Sequence, residues 1–167
     1  SPLVALLLSF SVSSLLEAVV ATGEYVAPKD LLKAFNFFRS PKPVVDEIID
    51  RLGLFNRARV LEPSAGDGAI ADGVRAASPG ATIQVVELQD ELRAGLAEKG
   101  YGVIGTDFLA LDVEKLEFVF DRVAMNPPFR AQADIAHVMH ALTFLRPGGR
   151  LVAVMSAGVR FRQDARS

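Results

Sequence analysis

The chain has 167 residues, 50% hydrophobic and 23% charged, enough to bury the core of one domain. It contains no cysteine, which excludes disulfides and thiolate metal sites. A net charge of −2 and a sequence pI near 5.7 argue against a free-standing nucleic-acid binder, which usually shows a pI above ~9; the composition is that expected of a cytoplasmic domain.

The run from Leu3 to Val20 is almost continuously apolar. It opens at Ser1-Pro2 with no basic lead, unlike a secretory signal. Glu17 and the serine spacers disfavour a membrane span. Leu3, Leu6, Leu7, Phe10, Leu15, Leu16, Val19 and Val20 track a helical face. Residues 1–22 are therefore expected to form an apolar helix against the domain or another chain, ended by Thr22-Gly23. Residues 23–167 are expected to form the core. Pro28 opens a helix to about Phe38. Pro43 opens another to Leu52, which Gly53 stops.

A strand, Ala58–Leu61, then runs into Glu62-Pro63-Ser64-Ala65-Gly66-Asp67-Gly68 and a helix to Ala77. Gly66 and Gly68 let backbone approach a ligand where a Cβ would collide. The helix start turns free N–H groups and a positive dipole end toward it. A second strand, Thr82 to Glu87, ends in an acid roughly 20 residues past the glycine turn, where ribose hydroxyls find their acceptor. The segment Gly66 to Ala71 also fits the G-x-G-x-x-A of dinucleotide folds. However, Glu62 and Asp67 would repel a pyrophosphate there and would suit a cationic amine.

A helix Asp90–Lys99 and a strand Val103–Gly105 follow. Asp107-Phe108 next pairs an acceptor for an adenine amino group with a ring beside it. The strand Arg122–Met125 ends at Asn126-Pro127-Pro128-Phe129. Here the Asn oxygen and the Pro127 carbonyl are two acceptors, the prolines stiffen the loop, and Phe129 is a stacking face. Two acceptors and a platform suit a planar –NH2 group. An ordinary Pro-Pro loop would have the same local pattern, and the upstream motifs separate the two. A helix Ala133–Leu145 and a strand Arg150–Met155 complete an alternation that predicts a doubly wound, Rossmann-like parallel sheet of the α/β class. His137 and His140 lie three apart on a helix without ligands at matching spacing, and read as solvated or capping. Asp72 and Arg75 read as a solvated helix face, and Arg160, Arg162 and Arg166 as a polar terminus.

In these segments the chain resembles the class I S-adenosylmethionine-dependent methyltransferases, and within them the enzymes that methylate adenine N6 in DNA, especially phage- and plasmid-type bacterial ones. The resemblance runs from about Phe37 to the end. It implies that Glu62, Pro63, Ser64, Ala65, Gly66 and Gly68 wrap the methionine part of the cofactor, with Glu87 and Leu88 at the ribose. It implies Asp107 at the adenine amino group with Phe108 beside the ring, and Asn126, Pro127, Pro128 and Phe129 as the catalytic loop, Asn126 also touching cofactor. Phe38-Arg39-Ser40-Pro41 resembles the segment that closes over the cofactor, so Ser40 and Pro41 join its site. Leu145 to Leu151 resembles the turn before the fifth strand. Against the family, the chain ends soon after that strand, and its last helix and antiparallel β-hairpin are expected to be lacking. An open fifth-strand edge would need a cover, so a dimer or a partner subunit is expected, with DNA as the substrate partner, no membrane and no metal. Glutamine amides in proteins and adenine in RNA present a similar –NH2, although the glutamine enzymes usually carry Tyr where Phe129 stands. A non-catalytic subunit or fragment and an NAD-binding module remain as alternatives.

Overall fold

In the computed structural model the chain is described at residues 6–14, 17–24, 39–128 and 133–155. Among the described residues seven strands form one sheet: β1 (Leu6–Ser14), β2 (Glu17–Glu24), β3 (Arg59–Glu62), β4 (Thr82–Val86), β5 (Gly102–Gly105), β6 (Phe120–Met125) and β7 (Leu145–Met155). The helices are α1 (Lys42–Leu52), α2 (Ala69–Ala77), α3 (Asp90–Glu98) and α4 (Ala133–Leu142). The strand order is β2-β1-β7-β6-β3-β4-β5. The five strands β7-β6-β3-β4-β5 are parallel, as the alternation predicts. Two apolar clusters cover the sheet. One is built on Val45, Ile48, Ile70 and Val74 of α1 and α2. The other is built on Val138, Ala141 and Phe144 from α4 and the residues after it.

The chain leaves β3 toward β4 and β5, then returns to place β6 on the other side of β3. That reversal is the switch point at which such sheets open a crevice beyond the strand carboxyl ends. Leu61 lies opposite Val123 in the β3–β6 ladder, so the loops that begin at Pro63 and Asn126 leave from neighbouring strands.

Two sequence expectations change here. The apolar helix expected over residues 1–22 is replaced, at residues 6–14 and 17–24, by strands: β1 and β2 are antiparallel, and β1 pairs with β7 from Leu6↔Met155 to Ser11↔Arg150. Leu8-Ser9-Phe10-Ser11-Val12-Ser13 alternates apolar and polar, a period-2 signal that competes with the helical spacing of the leucines. The unpaired edge of β7 decides between them, because buried backbone polar groups need partners. The fifth parallel strand therefore has no open edge on this side, and β2 is the outer strand. The expected turn before β7 is a bulge within the strand. Phe120 lies opposite Leu145, but Arg122 lies opposite Arg150. The helix expected over Pro28–Phe38 lies outside the described residues, as do Phe129, Arg160, Arg162 and Arg166.

Arginines tie α1 to the amino ends of the strands. Arg122 Nε donates to the Leu52 carbonyl at 2.6 Å and its NH2 to Gly53 at 3.1 Å, while Arg150 NH1 donates to Arg51 at 2.9 Å. These carbonyls are among the last four of a helix, which have no partner within it. Burial, then the charges of Arg150 and Arg146, lowers the pKa of the Arg122 guanidinium. Asp121 accepts from the Arg59 N–H at 2.8 Å and from Arg146 Nε. Burial raises its pKa, but those two bonds and the nearby arginine charges outweigh it and the carboxyl is held below its ordinary value. Among the described residues no helix is long and apolar enough to cross a membrane.

Candidate functional site

The glycine turn after β3 is shaped by acids and by left-handed backbone. Gly66 has φ 57° and Gly68 has φ 88°, a region open chiefly to glycine. A Cβ on Gly68 would also stand 2.9 Å from Leu96 Cδ2. Glu62, the last residue of β3, is buried, and its Oε2 accepts from the Ala71 N–H at 2.9 Å. That satisfies one of the free donors at the start of α2. Burial pushes the Glu62 carboxyl well above its ordinary pKa. The Ala71 bond opposes this, and the charges of Asp67, Asp72 and Glu87 add to it. Pro63 is buried, Ser64 half-buried, and the buried Ala65 donates its N–H to the Val86 carbonyl at 3.0 Å.

Glu87 directly follows β4. Its Oε2 accepts from the Gly66 N–H at 2.7 Å and its Oε1 from the Gln89 N–H at 3.0 Å. The side chain that sequence spacing assigns to ribose thus already spans both loops, and each oxygen keeps a further lone pair for a hydroxyl. Leu88 beside it is 68% exposed, an apolar surface next to an acid. Asp107 caps a short 3-10 turn, accepting from the Leu109 N–H at 3.1 Å.

Phe108 departs from its expected place beside a ligand ring. It is 3% exposed, packed against His137, His140 and Phe144, so no face of it is open for stacking. The two histidines that flank it also bond backbone: His137 Nδ1 to Ala133 at 2.7 Å and His140 Nε2 to Leu111 at 2.9 Å. They are core-edge residues rather than solvated ones. Among the described residues no group of His, Asp or Glu is arranged to hold a metal.

A network missed by sequence reading braces the turn from outside. Lys99 Nζ donates to the Asp67 carbonyl at 2.8 Å and to Asp72 Oδ2 at 2.9 Å, and the Tyr101 hydroxyl donates to Asp72 Oδ1 at 2.5 Å. Arg75 lies 4.0 Å over the Tyr101 ring and donates to the Lys99 carbonyl at 2.8 Å. Asp72 and Arg75 are therefore more than a solvated face. Burial raises the Asp72 pKa, but the Tyr101 and Lys99 bonds and the Lys99 charge outweigh it and lower it. Burial and the Asp72 bond raise that of Tyr101. These partners stand 27 and 29 residues from Asp72, beyond any local periodicity.

Across the switch point, Asn126 leaves β6 and donates through Nδ2 to Ser40 Oγ at 3.1 Å. Ser40 and Pro127 are buried, Pro41 half-buried and Pro128 exposed. No hydrogen bond among the described residues engages the Pro127 carbonyl. Arg39 NH1 pairs with Asp67 Oδ2 at 2.6 Å. Hence Arg39 reaches the glycine turn while Ser40 reaches the Asn126 loop. A groove of about 750 Å³ opens between α1 and α2 and, of the expected site residues, includes only Ser40. The site is marked by its polar groups rather than by that groove. Asp67 and Glu87 flank the turn with carboxylates and Glu62 adds a buried carboxyl, an acceptor set that disfavours phosphate and matches a cationic ligand bearing hydroxyls.

Residues 47–164 match the family model described as Methyltransferase small domain. The release factor glutamine methyltransferase of Gloeobacter violaceus is 32% identical over 120 residues, covering 64% of this chain and 41% of that protein. The chain thus spans less than half the length of this curated relative. TrmN from Thermus thermophilus superposes with a TM-score of 0.55 at 20% identity, over 81% of this chain and 46% of that one. A TehB-like SAM-dependent methyltransferase from Corynebacterium glutamicum gives 0.55 at 17% identity, over 68% and 62%. At these identities the two structures establish a shared fold.

Proposed function

This chain belongs to the methyltransferase small domain family, and from that premise we propose that it transfers a methyl group from S-adenosylmethionine to a planar exocyclic amino group, with adenine N6 in DNA as the first substrate to test. The observation that carries the reading is the pairing of two loops on neighbouring strands: an acid-lined glycine turn tied to Glu87, and Asn126 anchored on Ser40 with Oδ1 and the Pro127 carbonyl left as acceptors. The acids suit the amine, sulfonium and ribose hydroxyls of this cofactor better than a dinucleotide phosphate. When bound, S-adenosylmethionine supplies a methyl group already activated on a sulfonium.

The residues of the chain then have positional work. Glu62 and the Gly66–Gly68 turn hold the amino-acid end, Glu87 takes the ribose hydroxyls, and Leu88 offers apolar surface to the base. Asp107 accepts from the adenine amino group. Asn126 Oδ1 and the Pro127 carbonyl accept the two N–H bonds of the target, fixing its nitrogen in line with the methyl. Both acceptors draw on hydrogens of the amino group and so raise density on its nitrogen. No general base is required before transfer, because the methylated nitrogen becomes acidic and releases its proton to solvent. A duplex adenine would first leave the stack.

A glutamine side-chain amide is the second reading, favoured by the 32% identical relative from Gloeobacter violaceus. Phe129, in place of the Tyr usual among glutamine enzymes, supports adenine. Calorimetric titration with S-adenosylmethionine, with NAD as control, tests the cofactor. Labelled-methyl transfer onto DNA, RNA and a glutamine peptide tests the acceptor. Binding of NAD instead, or cofactor binding without transfer to any of the three, would overturn the reading.

A further inference from the structure

We infer that Ser40 is a positioning residue that holds the Asn126 amide in place against the methyl acceptor, an inference that rests on the function proposed above. An Asn side chain presents an acceptor on one side and a two-hydrogen donor on the other. Turned the wrong way, Asn126 would set N–H against N–H of the target amino group. Nothing in Asn126 itself holds the side chain in one place. The hydroxyl of Ser40, 3.1 Å from Nδ2 and 86 residues away in the chain, accepts from the amide and fixes the place of the side chain, with Oδ1 as its other polar atom.

Ser40 is built to hold that place. It is 9% exposed. It directly precedes Pro41, whose fixed φ of −61° and whose carbonyl, accepting from Val44 and Val45 at 3.0 Å each, start α1. The buried face of α1 (Val44, Val45, Ile48 and Leu52) locks the helix onto the core, and a Cβ on Gly73 of α2 would stand 2.7 Å from Val45 Cγ1. The other neighbour, Arg39, is fastened to Asp67 in the glycine turn at 2.6 Å. Two consecutive residues therefore bridge the loop after β3 and the loop after β6. In this arrangement Ser40 acts through Asn126.

The test compares Ser40→Ala with Ser40→Thr, which keeps the hydroxyl. The side-chain amide signal of Asn126, assigned in NMR spectra by its loss in Asn126→Ala, reports the bond directly in the folded protein. In Ser40→Ala it is expected to move to the position and exchange rate of a free amide. In Ser40→Thr it is expected to stay. Turnover in Ser40→Ala should fall about 10-fold through kcat, with the calorimetric Kd for S-adenosylmethionine within about twofold, and Ser40→Thr should restore most of it. An unchanged amide signal in Ser40→Ala overturns the inference. So does a moved signal with unchanged kcat, or a loss of cofactor affinity that accounts for the whole effect. If the parent protein methylates nothing, the proposed function fails, and the amide signal still decides whether Ser40 holds Asn126 in place.

Discussion

At the carboxyl ends of the parallel strands the charged side chains are mostly acids: Glu62, Asp67, Glu87 and Asp107. At the amino ends they are mostly arginines: Arg59, Arg122, Arg146 and Arg150. The acids accept from the N–H groups of turns and helix starts, with Glu62 on Ala71, Glu87 on Gly66 and Gln89, and Asp107 on Leu109. Arg122 and Arg150 donate to carbonyls at the end of α1 and Arg146 to Asp121, while the Arg59 guanidinium lies over the Phe118 ring. Both ends thus complement backbone that helices and turns leave without partners. They differ in what is left over. A guanidinium bonded to carbonyls closes the amino end. A carboxylate bonded once per oxygen still has room to accept. The proposed site lies at the end whose charged groups keep spare capacity.

Substitutions at the two ends should separate transfer from folding. The largest effect is expected from Asn126→Ala, about 10²–10³-fold in kcat as for loss of an essential polar contact to the reacting group, with calorimetric cofactor affinity nearly intact. A parent-like turnover would remove Asn126 from the chemistry. Glu87→Ala should weaken S-adenosylmethionine by roughly 10–100-fold, the worth of hydrogen bonds to a charged group, measured by the same titration. Arg122→Leu, at the opposite end, should leave that affinity unchanged but destabilise by about 1–3 kcal/mol as the α1 carbonyls lose their donor, read in urea unfolding. A matched loss of cofactor binding would erase the distinction between the ends. Gly68→Ala forces a side chain into left-handed backbone against Leu96 and should cost about 1–2 kcal/mol by the same method.

The smallest effect is the sharpest in sign. The folded-state pKa of Glu62 is raised, so its contribution to stability is fully present below the unfolded carboxylate value and fades as pH rises through the folded one. Glu62→Gln keeps an acceptor for Ala71 without the buried charge. Its Tm should therefore match the parent near pH 4 and exceed it by a few degrees near pH 8, about 2–4 °C per kcal/mol, while cofactor affinity falls. Asp72 and Asp121 have lowered pKa values. Their contributions are present above the unfolded carboxylate pKa and are lost as pH falls through the folded values. Equal Tm differences at both pH values would contradict the assignment for Glu62.

Local rules carried the parallel core well. Gly53, with φ 59°, ends α1 where a glycine stop is expected, and the Glu62–Gly68 turn, Glu87 and Asn126 fall at strand carboxyl ends as their order implies. Residues whose partners are distant were not readable. Phe108 looks like a ligand platform by its neighbour Asp107, but its environment comes from α4. Lys99 and Tyr101 reach Asp72 only because α3 returns the chain to β5. Leu6–Ser14 carries both a helical and an alternating pattern, and the choice rests on β7, more than 130 residues later.

That last pairing has a consequence for how the molecule is made. β1 is synthesised well before its sheet partner β7, the last described strand, with Leu6 meeting Met155. Closing so long a loop is an entropic toll paid late, and contacts of this separation slow folding. On a ribosome adding about 5–20 residues per second, the β1–β2 hairpin waits on the order of ten seconds for its neighbour. During that wait its edge is an unpaired template for other chains, so chaperone demand and misassembly should concentrate at the β1–β2 hairpin rather than at the glycine turn.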